Sequence, residues 1–203
     1  EVNNLQASVS GGSAKTQYLF SGNYRTETTV FPGDFKYNKG AAHFNMNHTS
    51  DDDKFKLVFS ANYTAQKNNQ PATDLTAVSR TLAPNSPALY DADGNLNWEN
   101  STWDNPLATM LSEFDSNIKD LTANTVLSYQ ILKNLQAKSS FGYSDLKNTE
   151  SRTQPHTMYN PAYGLGSEFS GLSVSQTDRS TWIVEPQLNW NTNLGKGKVE
   201  ALV

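Results

Sequence analysis

A chain of 203 residues, 36% hydrophobic and 18% charged, has room for one large domain or two small ones. Its net charge of −4 argues against a nucleic-acid partner, and its lack of cysteine excludes disulfides, thiolate chemistry and Cys-ligated zinc. No run approaches the ~20 apolar residues of a membrane helix, and no basic segment followed by an apolar one marks a signal peptide.

Strand side chains alternate with period two, so parity sorts each segment into two faces. Leu5, Ala7 and Val9 make a weak first strand. Tyr18, Phe20, Gly22 and Tyr24 oppose Ser21, Asn23 and Arg25, and Ala42, Phe44 and Met46 oppose His43, Asn45 and Asn47. The clearest alternation is Phe55, Leu57, Phe59, Ala61, Tyr63 and Ala65 against Lys56, Ser60, Asn62 and Thr64. Leu121 to Ile131, Leu135 to Tyr143, Trp182 to Trp190 and Val199 to Val203 repeat it, giving about eight strands. Arg25, Lys56, Lys138, Glu185, Lys198 and Glu200 fall on the polar parity, while Lys36 and Asp145 fall on the apolar parity at the loop ends.

The joints between these segments alternate in length. Short ones lie at 11–15, 50–54, 133–134 and 193–197, and long ones at 26–34, 66–120 and 146–178. Up-and-down hairpins place successive joints at opposite ends of a sheet, so the short joints share one end. Outer-membrane barrels have that asymmetry, with short periplasmic turns and long extracellular loops. The expected fold is therefore all-β, an antiparallel up-and-down transmembrane β-barrel segment. A mean hydropathy of −0.63 is compatible with it, because alternation averages the lipid-facing residues away. Lacking a starting methionine and stopping at Val203 inside an apparent strand, the chain is expected to be a piece of a longer protein.

Strand length and aromatic spacing favour the membrane. The segments run to about ten residues or more, against the usual five or six of globular sheets and the ~9–11 of a tilted membrane strand. Trp182 and Trp190 share parity, about 26 Å apart along the strand; at a ~40° tilt this is about 20 Å of height, near the ~25 Å band between aromatic girdles. Phe55 and Tyr63 have the same spacing, which makes these four residues candidates for a lipid-facing girdle. Pro186 lacks a ladder N–H, so a bulge or an edge is expected there. A soluble β-rich binding module or adhesin is the alternative, and it would bury Phe20, Phe44, Phe59, Leu127, Phe141 and Leu188 against a second sheet.

Ser8 to Tyr18 (SVSGGSAKTQY) resembles an early barrel hairpin of the SusC/RagA-type TonB-linked outer-membrane proteins, with Ala14 in place of the family's usual acidic residue. Ser79 to Trp98 (SRTLAPNSPALYDADGNLNW) resembles that family's first large extracellular loop. Tyr129 to Tyr143 and Trp182 to Val203 resemble two later hairpins. The resemblance implies the bacterial outer membrane and a barrel of about 22 strands with a plugged lumen. It also implies import of oligosaccharides, peptides or other bulky nutrients, a SusD-like surface lipoprotein as lid, and a TonB complex acting through N-terminal regions absent here. No cofactor is expected.

Loops as long as 66–120 are uncommon unless they bind something or are disordered. Tyr90, Trp98 and Trp103 are its candidates for lining the substrate vestibule or the lid interface, or else they pack the loop's own small core. Asp74 is placed to cap a short helix. Asp91, Asp93, Gly94 and Asn95 hint at a calcium loop, but Thr102 stands where an EF-hand needs Glu, and a β-turn explains them. His43, His48 and His156 have no ligand spacing. Glu99, Asp104 and Glu113 have no flanking motif to support hydrolysis, so no enzyme is expected.

Overall fold

The computed structural model describes all 203 residues. Eight strands lie side by side in chain order, each antiparallel to the next: β1 (Val2–Gly12), β2 (Thr16–Thr28), β3 (Lys36–Thr49), β4 (Phe55–Pro71), β5 (Glu113–Leu132), β6 (Leu135–Gln154), β7 (Gly171–Leu194) and β8 (Gly197–Leu202). The connection from β4 to β5 carries a short helix, α1 (Thr76–Thr81), and a 3-10 turn at Pro106–Leu111. Three more 3-10 turns fill the connection from β6 to β7.

Register joins the faces. Val9 stands opposite Phe20, Phe20 opposite Phe44, Met46 opposite Phe59, and Leu57 opposite Leu127. Tyr143 faces Trp182, Leu135 faces Trp190, and Trp190 faces Ala201. The apolar parity of each strand thus meets that of its neighbour, and one face is apolar across the sheet. The other presents Asn45, Ser60, Asn62 and Asn124 in adjacent positions. Phe44 and Phe59 pack with ring centroids 5.9 Å apart, tilted by 53°, a geometry that suits aromatic quadrupoles.

Nothing covers the apolar face, and Trp182 is 77% exposed. The buried apolar residues are Phe35, Leu75 and Ala108, in connections, and Pro71 at the last position of β4. A two-sheet sandwich buries its apolar parity between layers; this single open sheet has no such core, so the soluble alternative loses its physical basis.

The long connections are shorter than the apolar alternation predicts. The one expected at 66–120 occupies 72–112, the one at 146–178 occupies 155–170, and the one at 26–34 occupies 29–35. Ladder pairing runs on where apolar alternation ends, through Gln66 to Pro71 against Glu113 to Ile118 and through Leu146 to Gln154 against Gly171 to Arg179. Past a membrane band both faces meet water or loops, so a strand continues there without a period-two signature.

Two features of the sheet bear on its setting. Pro186 keeps its register opposite Ser139 with no bulge; Leu188, on the same edge, exchanges backbone hydrogen bonds with Val203, so the proline nitrogen lies on the side of β7 that β8 leaves open. The short turns also step along the strands. Gln17 is level with Asn47 and Val58, yet the second turn closes at Lys56. Lys56 is level with Ser128, and the third closes at Leu132; Leu135 is level with Trp190, and the fourth closes at Leu194. With ~3.4 Å per residue and ~4.8 Å between strands, turns in one plane require strands inclined by about 45–50°, near the ~35–45° of outer-membrane barrels.

Candidate functional site

At the end bearing the long connections the two faces differ in cover. Ser112 and Ser116, of the polar parity, are buried, while Glu113, Asn117 and Lys119 of the apolar parity are exposed. On β6, Ser144, Leu146, Asn148 and Glu150 are half-buried, while Tyr143, Lys147 and Thr149 are exposed. The long connections therefore fold over the polar face. Their base is tied down: Ser112 Oγ donates to Thr153 O, Glu113 N to Thr153 Oγ1, and Ala72 N to Ser112 O.

The connection 72–112 doubles back as an arm. Tyr90 and Leu96 form an isolated antiparallel bridge. The turn between them is closed by Asp91 Oδ1, which accepts from Asp93 N at 3.0 Å and Asn95 N at 2.8 Å, with Gly94 at φ 84°. A second reversal follows Trp98. Glu99, Asn100 and Ser101 have φ of 46°, 55° and 68°, a left-handed run that costs L-residues about 1–2 kcal/mol each. Trp103 N returns to Trp98 O at 3.3 Å, and Thr102 Oγ1 donates to Glu99 O at 2.6 Å.

Two buried asparagines hold the arm. Asn105, 3% exposed, donates through Nδ2 to Leu89 O at 2.7 Å and Asn97 O at 2.9 Å, and its Oδ1 accepts from Leu107 N at 3.0 Å. Asn160, 6% exposed in the connection 155–170, donates to Ser101 O and Trp103 O at 3.3 Å and to Asp104 Oδ1 at 3.0 Å. Its Oδ1 accepts from Ala162 N at 2.9 Å, and Tyr163 donates its hydroxyl to Asp104 Oδ2 at 3.4 Å.

Tyr90, Trp98 and Trp103 thus lie together in one arm. Tyr90 is 51% exposed and the tryptophans are half-buried. Tyr90 also lines an apolar pocket of about 360 Å³ with Pro32, Phe35, Leu96, Leu107 and Met110. Phe55, Tyr63, Trp182 and Trp190 lie on the sheet's apolar face, so the two groups of candidates do not form one site.

The ionisable groups are engaged locally. Asp104 is taken by Asn160 and Tyr163, Glu99 accepts from Asn97 Nδ2 at 3.2 Å, and Glu113 from Asn69 Nδ2 at 3.3 Å. His43 bonds Asn62 at 2.6 Å, and His48 bonds Thr16 at 2.7 Å. Asp74 lies one residue before the helix N-cap, Leu75, and its Oδ1 accepts from Thr76 N at 2.8 Å. Hydrogen bonding from Thr76 holds this carboxyl below its ordinary 3.8. The residues that organise the arm, Asn105 and Asn160, escaped the sequence reading. Each precedes a proline, a dipeptide that marks turns, and that was the only local signal.

No family model matches the sequence. The chain is 26% identical, over an alignment of 217 residues, to TonB-dependent receptor P3 of Formosa agariphila, covering 99% of this chain and 21% of that protein. It thus spans about a fifth of the curated relative it matches. The RagAB peptide importer superposes with a TM-score of 0.70 in its closed-closed state (13% identity, 99% of this chain, 23% of that one) and 0.71 in its open-open state (12%, 99%, 23%). The siderophore receptor PiuA from Acinetobacter baumannii reaches 0.53 (14%, 99%, 28%).

One open sheet of consecutive antiparallel strands, apolar on one face and covered by its long loops on the other, is a segment of an outer-membrane β-barrel. Over nearly its whole length the chain is similar in sequence to a TonB-dependent receptor and shares the fold of a segment of the RagAB importer.

Proposed function

We propose that residues 1–203 form part of the barrel domain of an outer-membrane importer for oligosaccharides, peptides or similarly bulky nutrients. A SusD-like surface lipoprotein serves as its lid, and a TonB complex drives the full-length receptor. Phe55, Tyr63, Trp182 and Trp190 stand at the two borders of the hydrocarbon, and outer-membrane lipid is the solvent of their face. Tyr90, Trp98 and Trp103 meet the nutrient or the lid at the mouth.

The observation that carries this reading is the pairing of a continuous apolar face with long connections folded over the opposite, polar face. Loops folded inward narrow a lumen and bring aromatic side chains to the route of entry. Peptide import, named for RagAB, supports the bulky end of the substrate range.

Trp98→Ala with Trp103→Ala in the full-length receptor tests it. Uptake should fall while heat-modifiable migration of the folded barrel is unchanged. Unaltered growth on every glycan or peptide source that requires the receptor would refute the contact role.

A further inference from the structure

Asn105 and Asn160 share one construction. Each is followed by proline, each side-chain oxygen accepts from the N–H two residues on, and each side-chain amide reaches carbonyls of another segment. Those carbonyls flank the three aromatic residues of the arm. Asn105 holds Leu89 O and Asn97 O, in the peptides that lead into Tyr90 and Trp98. Asn160 holds Trp103 O, in the peptide that leaves Trp103, together with Ser101 O and Asp104 Oδ1. A peptide plane fixed beside a residue restricts where its Cα–Cβ bond points. The left-handed run Glu99–Ser101 lies between these anchors, and such a run persists only where its surroundings over-determine it.

We propose that Asn105 and Asn160 are the positioning residues of the aromatic arm, and that through Asn160 the connection 155–170 holds Trp98 and Trp103 over the polar face. The bearing of this on uptake rests on the contact role proposed above; the order of the arm does not. Asn160 acts across 57 residues of chain from Trp103, so the two long connections move as one body. Both asparagines are buried, so each acts through the backbone of the arm.

The test uses the full-length receptor in outer-membrane vesicles, with any cysteines replaced and a nitroxide on Asn100→Cys, at the exposed tip of the arm. Asn160→Asp keeps an oxygen for Ala162 N, removes the donor to three oxygens, and sets a carboxylate beside Asp104. At pH 7.5 the immobile fraction of the nitroxide spectrum should fall about fivefold or more, since a buried acceptor left unpaired is strongly unfavourable. Near pH 4 the new carboxyl regains a proton, restores one donor, and the immobile signal should return. Asn160→Ala should be mobile at both pH values, because a lost side chain does not titrate. If Asn160→Asp fails to assemble, Asn160→Ser, which retains a cap acceptor but cannot span the gap, should give the neutral-pH result.

An immobile spectrum in Asn160→Asp at pH 7.5, or a mobile one that acid does not restore, overturns the proposal. A loosened arm with uptake intact, alongside silent Trp98→Ala and Trp103→Ala, removes the contact role and leaves the positioning role standing. Impaired uptake in the tryptophan variants with an immobile arm in Asn160→Asp does the reverse.

Discussion

Phe59→Arg separates a lipid-facing position from its neighbours on one strand. Phe59 lies midway between Phe55 and Tyr63, four residues from each, which is about 13 Å along the strand and about 9 Å of height at the inclination inferred above. A residue so placed is near the bilayer midplane, where arginine costs about 2–4 kcal/mol. The substitution also removes the ring that packs against Phe44 at 5.9 Å, a further ~0.5–1.5 kcal/mol. The expected loss is therefore about 3–5 kcal/mol. Ser60→Arg, one residue along and level with Asn45 and Asn124 on the polar face, should stay within about 0.5 kcal/mol. Tyr63→Arg, at the proposed border of the hydrocarbon, should cost about 0–1 kcal/mol from charge placement. Phe59→Leu isolates the aromatic contribution. The measurement is equilibrium refolding of the full-length receptor into lipid vesicles from urea, with the folded fraction read from heat-modifiable migration. Equal penalties at 59 and 60 would mean that parity does not report lipid. Equal penalties at 59 and 63 would remove the depth assignment.

Gly12 has φ 145°, and a Cβ there would meet Thr16 O at 2.1 Å, so Gly12→Ala should cost about 1–3 kcal/mol and reduce the heat-modifiable yield. Gly11→Ala meets only the far end of the exposed Tyr18 side chain, its hydroxyl at 2.8 Å and Cζ at 3.0 Å, and should assemble once that ring swings aside. Ser112→Ala removes the hydrogen bond to the Thr153 carbonyl and should weaken the base of the arm by about 1 kcal/mol, seen as faster proteolysis within 72–112 on intact cells. Asp52, in the second short turn, is held below 3.8 by the Ser50 hydroxyl at 2.6 Å and then by Lys54 N at 3.2 Å. A lowered carboxyl supports the fold above its unfolded value and loses that support as pH falls through the folded value. The Asp52 carboxyl resonance in solid-state NMR should therefore titrate below 3.8, and Ser50→Ala should move the midpoint upward.

The membrane-spanning part of the fold was legible because hydrocarbon leaves a period-two record. From Phe55 to Ala65 parity alone named the face that register then joined to β3 and β5. That record stops at Gln66, and the ladder does not: Asn68, Asn69 and Gln70 pair with Ser116, Asp115 and Phe114 without any alternation to announce it. Backbone hydrogen bonds carry no composition, so strand ends in water were invisible. The aromatic residues of the arm could be named from type and loop length. What orders them could not, since Asn105 and Asn160 work through carbonyls, which every residue has, and the pairing of Asn160 with Trp103 is a matter of folding.

The stepping of the short turns also sets the width of the opening. A strand spaced ~4.8 Å from its neighbour and inclined by ~45° takes up about 6.8 Å of perimeter, so eight such strands supply roughly 54 Å of wall. Carried around the ~22 strands of a large outer-membrane transporter barrel, that perimeter would be near 150 Å and the backbone bore about 48 Å. With turns level in register the same number of strands would close at about 34 Å. The few residues by which each hairpin outruns the last therefore set the bore of any closed cylinder these strands join.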